Sequence, residues 1–197
     1  MDHFPGGRPQ YDGHNRRVKQ VMGGDTIYSV YSLSGEMVYR HNVTAGERTG
    51  FIHMGGETVA RVKNFWTPTY LHSDHLGSPS AATNTSGAIS WYEDYTPYGE
   101  ARQKPWSNDD QTGFTGHIHD DASGLTYMQA RYYDPVIGRF LSSDPMTFTS
   151  MGGDPAYMNR YWYAGGDPVN AWDPNGELIA NLVAGGIGGG IGAVVGG

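Results

Sequence analysis

No cysteine occurs among the 197 residues, so the chain can build neither a disulfide framework nor a thiolate metal site. That fits a reducing compartment. Charge is also scarce: charged residues make up 17% of the chain, and 13 Lys and Arg face 20 Asp and Glu for a formal net charge of −7. Too few cations remain for a general nucleic-acid surface. The opening stretch MDHFPGGRPQYDG lacks the basic start and apolar run of a signal peptide, and none is expected. There is no G-x-S-x-G elbow, no phosphate-binding Gly-Lys loop and no thiol nucleophile. No cofactor is expected.

What the chain has in abundance is glycine, 30 residues, and tyrosine, 14. Glycine supplies turns and tyrosine suits strands, so the composition predicts short aromatic strands joined by tight turns. The order of residues repeats that theme. In YDGHNRRVKQVMGGDTIYSVYSLSGEMVYRHN (11–42), strands around Val18, over 27–31 and over 37–39 are split by turns at Gly23-Gly24-Asp25 and Ser34-Gly35-Glu36. A related pattern returns over 70–102, with a turn at Thr85-Ser86-Gly87 before Ile89-Ser90-Trp91-Tyr92. It returns again over 114–145, with a turn at Ser123-Gly124 before Leu125-Thr126-Tyr127-Met128. Alternation at period two puts the aromatic side chains on one sheet face, and such units bury that face by stacking on neighbours. Residues 43–69 and 103–112 read as connecting loops. The spacing of AYMNRYWY (156–163) fits a short helix or a strand equally.

Beyond Glu177 the character changes. LIANLVAGGIGGGIGAVVGG (178–197) is apolar, with glycine at 185, 186, 188, 189, 190, 192, 196 and 197. Small residues at that density permit close helix packing in a membrane, and about 20 residues suffice to cross one, whereas glycine disfavours a helix. A linker and a membrane-contacting segment both remain open for 178–197.

Four stretches together resemble the core region of Rhs/YD-repeat proteins, the polymorphic toxins and the related C subunits of insecticidal toxin complexes. These are YLHSDHLGSP, YTPYGE, FTGHIHDDASGLTYMQARYYDPVIGRFLSSDP and NRYWYAGGDPVNAWDPNGE. The resemblance covers about residues 11–177. It implies a mainly β fold, a YD/Rhs-type repeat sheet curling as part of a shell, with an irregular C-terminal plug. The organisation it implies is YD-repeat-like strands and a connecting loop over 1–69, a core domain over 70–177 closing at DPNGE, and the start of a variable, truncated toxin region over 178–197. The implied function is to encapsulate a C-terminal toxin and release it by a single self-cut just after a DPxGL-like motif. The implied partners are the toxin cargo, an upstream shell, secretion machinery and an immunity protein. The implied location is the producer's cytoplasm, followed by secretion or delivery into a target cell. Three features depart from the family pattern. The chain is too short to enclose a folded cargo, it ends at Gly197 before any toxin domain, and Glu177 stands where the motif has Leu, with Leu178 one place later.

The cut that the resemblance implies is of aspartyl-protease type. Two carboxyls that share a proton become one base and one acid, the base activating water and the acid polarising the carbonyl. Asp173, in DPNGE, is the first candidate, and Asp144, in LSSDP, is its expected partner, although MTF follows it where relatives carry Gly-Leu. Asp167 is nearer but falls where many relatives have Asn. Arg160 matches an Arg implicated in some members and can hold a carboxylate or a developing oxyanion. The junction comprises Gly176, Glu177, Leu178 and Ile179. Asp-Pro is also ordinary turn chemistry, and it occurs at 134, 144, 154, 167 and 173. His72, Asp74, His75, His117 and His119 have no firm metal spacing, and no metal is expected. The five tryptophans, Trp66, Trp91, Trp106, Trp162 and Trp172, suit sheet packing or a sugar platform. Alternatives to the self-cutting shell are a non-cleaving structural or carbohydrate-binding, adhesive YD-repeat module, and an effector whose tail enters a membrane.

Overall fold

The computed structural model describes residues 9–103, 105, 108, 112–145, 158–177 and 179–181. Trp106, Asp154, Leu178 and the glycine ladder from 182 onward lie outside the described residues. The chain forms two compact units, one running up to His72 and including Ala81–Trp91, the other made of Ser73–Ser80 and the residues from Tyr92 on.

Consecutive hairpins make a nine-stranded sheet in simple chain order. Its strands are β1 (Gln10–Tyr11), β2 (Arg17–Met22), β3 (Asp25–Tyr31), β4 (Met37–Asn42), β5 (Glu47–Met54), β6 (Glu57–Lys63), β7 (Thr67–Ser73), β8 (Pro79–Thr83) and β9 (Ile89–Tyr92). The mainly β expectation holds. The reading of 43–69 as a connecting loop does not, because β5, β6 and the start of β7 occupy it. Two turn types join the strands. One is a five-residue turn that recurs at Asp12–Arg16, Ser32–Glu36, Asp74–Ser78, Asn84–Ala88 and Thr96–Glu100. In each, the first residue's N–H bonds the fifth residue's carbonyl, and the fourth residue's N–H bonds back to the first. The first residue's side-chain oxygen accepts a backbone N–H within the same turn, as Asp74 Oδ1 does from Leu76 and Ser78 at 2.9 Å. Asp, Ser, Asn and Thr can play that part, and the fourth position takes a positive φ, hence Gly or Asn. The second type is tighter. Gly55-Gly56 joins β5 to β6, and Asn64-Phe65 turns β6 into β7, with positive φ at all four residues. A positive φ at Phe65 is rare for a bulky side chain, so nothing in the local sequence announces that turn.

Ile27, Phe51, Ala60, Leu71, Ala82 and Trp91 are buried in the first unit, with the Arg61 guanidinium 5.7 Å from the centre of the Trp91 ring. Tyr28, Val30, Ile52, Met54 and Tyr70 remain exposed.

The second unit is less regular. It holds β10 (Asp94–Tyr95) paired with β11 (Ala101–Gln103), and a four-stranded sheet of β12 (Ile118–Asp120), β13 (Leu125–Met128), β14 (Arg131–Asp134) and β15 (Arg139–Phe140). A last hairpin pairs β16 (Ala171–Trp172) with β17 (Ala180–Asn181). The unit's core is Phe114, Met128, Tyr133, Phe140, Tyr163, Ala164 and Ala171. Its rings interlock, Tyr133 and Tyr163 at 4.7 Å between centroids and Phe114 and Tyr163 at 5.7 Å. Such tilted aromatic pairs add stabilisation beyond the area they bury. Of the 156–163 stretch, the described part is neither helix nor strand: Trp162 bridges to Arg139 and a single 3-10 turn follows at Ala164–Gly166.

Candidate functional site

The DPNGE junction is the loop of the β16–β17 hairpin, and it lies against the β13–β14 turn. Gly176 makes that approach possible. Its φ is +80°, and a Cβ there would overlap the Met128 carbonyl oxygen and stand 3.1 Å from the Arg131 nitrogen. The Ala130 N–H donates to the Asn175 carbonyl at 3.1 Å, which ties the two loops together.

Asp173 organises the junction from within. Its Oδ1 accepts the N–H groups of Asn175, Gly176 and Glu177 at 3.3, 2.8 and 3.1 Å. Its Oδ2 accepts from the Arg131 guanidinium at 3.0 Å. The same guanidinium nitrogen is 2.8 Å from Asp144 Oδ2. The two carboxylates expected from sequence are thus brought together, their oxygens within two hydrogen-bond lengths of each other across one shared cation. Exposure is 1% for Asp173, 7% for Asp144 and 3% for Arg131, so the triad is buried. Arg131 also donates through Nε to the Gly176 carbonyl and through an Nη to the Arg160 carbonyl at 3.1 Å, and it lies over the Phe140 ring. Burial pulls the Arg131 pKa below its ordinary value, while the neighbouring Asp173 and Asp144 charges act against that shift.

Sequence reasoning missed Arg131. The signal was a lone cation in an aromatic strand, ARYYD, where a buried cation is costly unless it meets an anion. Arg160 is placed differently from expectation: its guanidinium donates to the main-chain carbonyl of Asp144, at 3.0 Å from Nε, rather than to a carboxylate. The Asp144 N–H returns a bond to the Arg160 carbonyl at 2.9 Å. Arg160 therefore fixes the backbone that carries Asp144. Ile179 packs against the aromatic core.

His117 is a second feature that spacing did not reveal. Its Nε2–H donates to the Asp173 carbonyl at 2.8 Å, and burial pushes its pKa down to about 4, so the ring there is neutral at physiological pH. His75 donates to the Val169 carbonyl at 2.9 Å and His72 pairs with the Thr83 hydroxyl at 3.0 Å. Among the described residues no three His, Asp or Glu side chains gather as a metal-ligand group. Asp134 and Asp167 serve their turns: Asp134 Oδ1 accepts from Val136 at 2.9 Å, and Asp167 accepts from the Asn170 side chain at 3.0 Å.

A hairpin meander running into an aromatic core that grips an Asp-Pro-x-Gly junction defines a class. The chain belongs to the teneurin YD-shell family, whose model matches residues 10–169. Among individual proteins it is similar to toxin protein Tse5 of Pseudomonas aeruginosa, 37% identical over 119 residues, which are 59% of this chain and 8% of Tse5. It also resembles double-stranded DNA deaminase toxin A of Burkholderia cenocepacia, 35% identical over 166 residues, or 82% of this chain and 11% of that one. The uncharacterized protein YibJ of Escherichia coli is 34% identical over 137 residues, 64% of this chain and 56% of YibJ. The chain therefore spans between 8% and 56% of the length of these relatives. A crystal structure of TcdB2-TccC3-Cdc42 superposes with a TM-score of 0.62 at 25% identity, over 86% of this chain and 9% of that one. Among the described residues no helix is long and apolar enough to cross a membrane.

Proposed function

We propose that this chain is the C-terminal core segment of an Rhs-type toxin shell, which encapsulates a C-terminal toxin and frees it by one aspartyl self-cut near 177–179. The observation that carries this reading is the meeting of Asp173, Asp144 and Arg131 at the junction backbone. In the proposed step Asp144 takes a proton from water, whose oxygen attacks the carbonyl carbon of the scissile peptide. Arg131 offsets the charge that develops, and Asp173 holds the loop in its turn. The carbon–nitrogen bond then breaks, and the proton passes to the departing amine. An upstream shell, secretion machinery and delivery from the producer's cytoplasm into a target cell belong to the same proposal.

The carbonyl that Arg131 grips belongs to Gly176, close to the expected bonds. A reporter protein fused after Gly197 tests the reading: wild type releases it during expression, and Asp144→Asn and Asp173→Asn keep it attached. Equal retention by all three contradicts self-cutting.

One observation favours a non-cleaving structural module instead. Asp173 Oδ1 already holds three amides, and that alone makes it an effective turn residue. That reading predicts retention in every variant.

A further inference from the structure

The residues inside the junction turn carry a second chemistry, independent of whether the chain is cut. Asn175 is followed by Gly176, which has no side chain to obstruct approach to its own nitrogen. Asn175 Oδ1 accepts the Glu177 N–H at 3.1 Å, a bond that folds the side chain back over the Gly176 peptide. The Gly176 N–H points at Asp173 Oδ1, 2.8 Å away. A nucleophile, a base within reach of its proton and a donor on the electrophile's oxygen are therefore all present in five residues.

We propose that Asn175–Gly176 is a self-modification site, at which Asp173 promotes closure of a succinimide and loss of the Asn175 amide. The Gly176 nitrogen attacks Asn175 Cγ, and Asp173 Oδ1 takes its proton. Charge gathers on Asn175 Oδ1, where the Glu177 N–H receives it. The new N–Cγ bond forms as the Cγ–Nδ2 bond breaks, and the proton leaves with the amide nitrogen as ammonia. Water then opens the ring to aspartate or isoaspartate. Asn175 and Glu177 are partly exposed, so water reaches the ring. The product carries a new negative charge in the turn whose amides Asp173 accepts. In the isoaspartate form it also has an extra backbone carbon, in a turn where Gly176 has no spare room. Modification would therefore disable the junction slowly and irreversibly.

The test follows the peptide spanning Asn175 by mass spectrometry in the intact chain held at neutral pH, scoring the amide-to-acid mass gain and isoaspartate. The same chain unfolded in guanidinium gives the reference rate. The folded chain is expected to convert about a hundredfold faster or more, the gain a positioned base provides. Asp173→Asn is expected to fall to the unfolded rate. A folded chain that converts no faster than the unfolded one overturns the proposal, because the turn then protects Asn175. A cut chain retains Asn175 on its N-terminal product, so loss of the tail and modification are read separately.

Discussion

The two units use glycine turns for different ends. Gly24 in the meander and Gly99 in the second unit both have strongly positive φ, +93° and +85°. A Cβ on Gly24 would meet nothing within 4 Å, whereas one on Gly99 would drive into the Phe114 ring. In the meander glycine answers only the backbone. In the second unit the turn is also packed onto a core. The same contrast holds for side chains: the meander leaves Tyr28, Val30, Ile52, Met54 and Tyr70 exposed, while the second unit buries Phe114, Tyr133, Phe140 and Tyr163. A repeat whose units contact only their neighbours tolerates local change, and an interlocked core does not. The junction sits in the unit that can hold it rigid.

The sharpest way to break the comparison is at Arg131. Arg131→Met leaves two carboxylates buried without their cation, and removing one partner of a buried ion pair costs about 3–5 kcal/mol. Urea unfolding should register that loss, while Lys63→Met, at the half-exposed pair with Glu47, changes stability by about 1 kcal/mol or less. An Arg131 variant as stable as wild type would show that the triad does not anchor the fold.

His117 gives the next effect. Its folded pKa of about 4 lies below the ordinary 6.5. The unfolded chain thus binds a proton near pH 6.5 that the folded chain refuses until about 4. Stability should fall as pH drops through that window, by up to about 3 kcal/mol, and this group adds no further loss below it. His117→Gln should flatten that slope in denaturation curves at pH 7 and 4.5. An unchanged slope would assign it to other groups.

The smallest contrast is between glycines. Gly24→Ala should cost about 1 kcal/mol, for the positive φ alone. Gly99→Ala should cost clearly more, because Phe114 must also shift. Equal melting shifts would mean that the core yields at no cost.

Much of this was legible in the sequence, and the reason differs from residue to residue. The strands over 37–39 and 89–92 were marked by five-residue turns with Gly in the fourth position, and those over 27–31 and 125–128 by Gly23-Gly24 and Gly124. Those over 47–63 were missed although Gly55-Gly56 makes a turn like that at Gly23-Gly24, and Asn64-Phe65 then turns the chain with no glycine at all. Asp173 and Asp144 were singled out by the resemblance of DPNGE and LSSDP to the family's motifs, because Asp-Pro by itself occurs at five places and serves ordinary turns. Arg131 showed only as a cation out of place in an aromatic strand, because its meaning depends on the β13–β14 turn lying under a loop some 45 residues later in the chain. Arg160 was legible as a neighbour of the site but not as a support for the Asp144 backbone, since an Arg in a sequence carries no sign of whether it meets a carboxylate or a carbonyl.

The intact mass of freshly expressed chain, beside Asp144→Asn, tests the central claim most directly. The account predicts that the wild type has lost the residues beyond the junction, that its mass identifies the bond cut within 177–179, and that the variant keeps its full length. Full-length mass in both would contradict it, leaving Asp173, Asp144 and Arg131 as the ion-paired anchor of a structural turn.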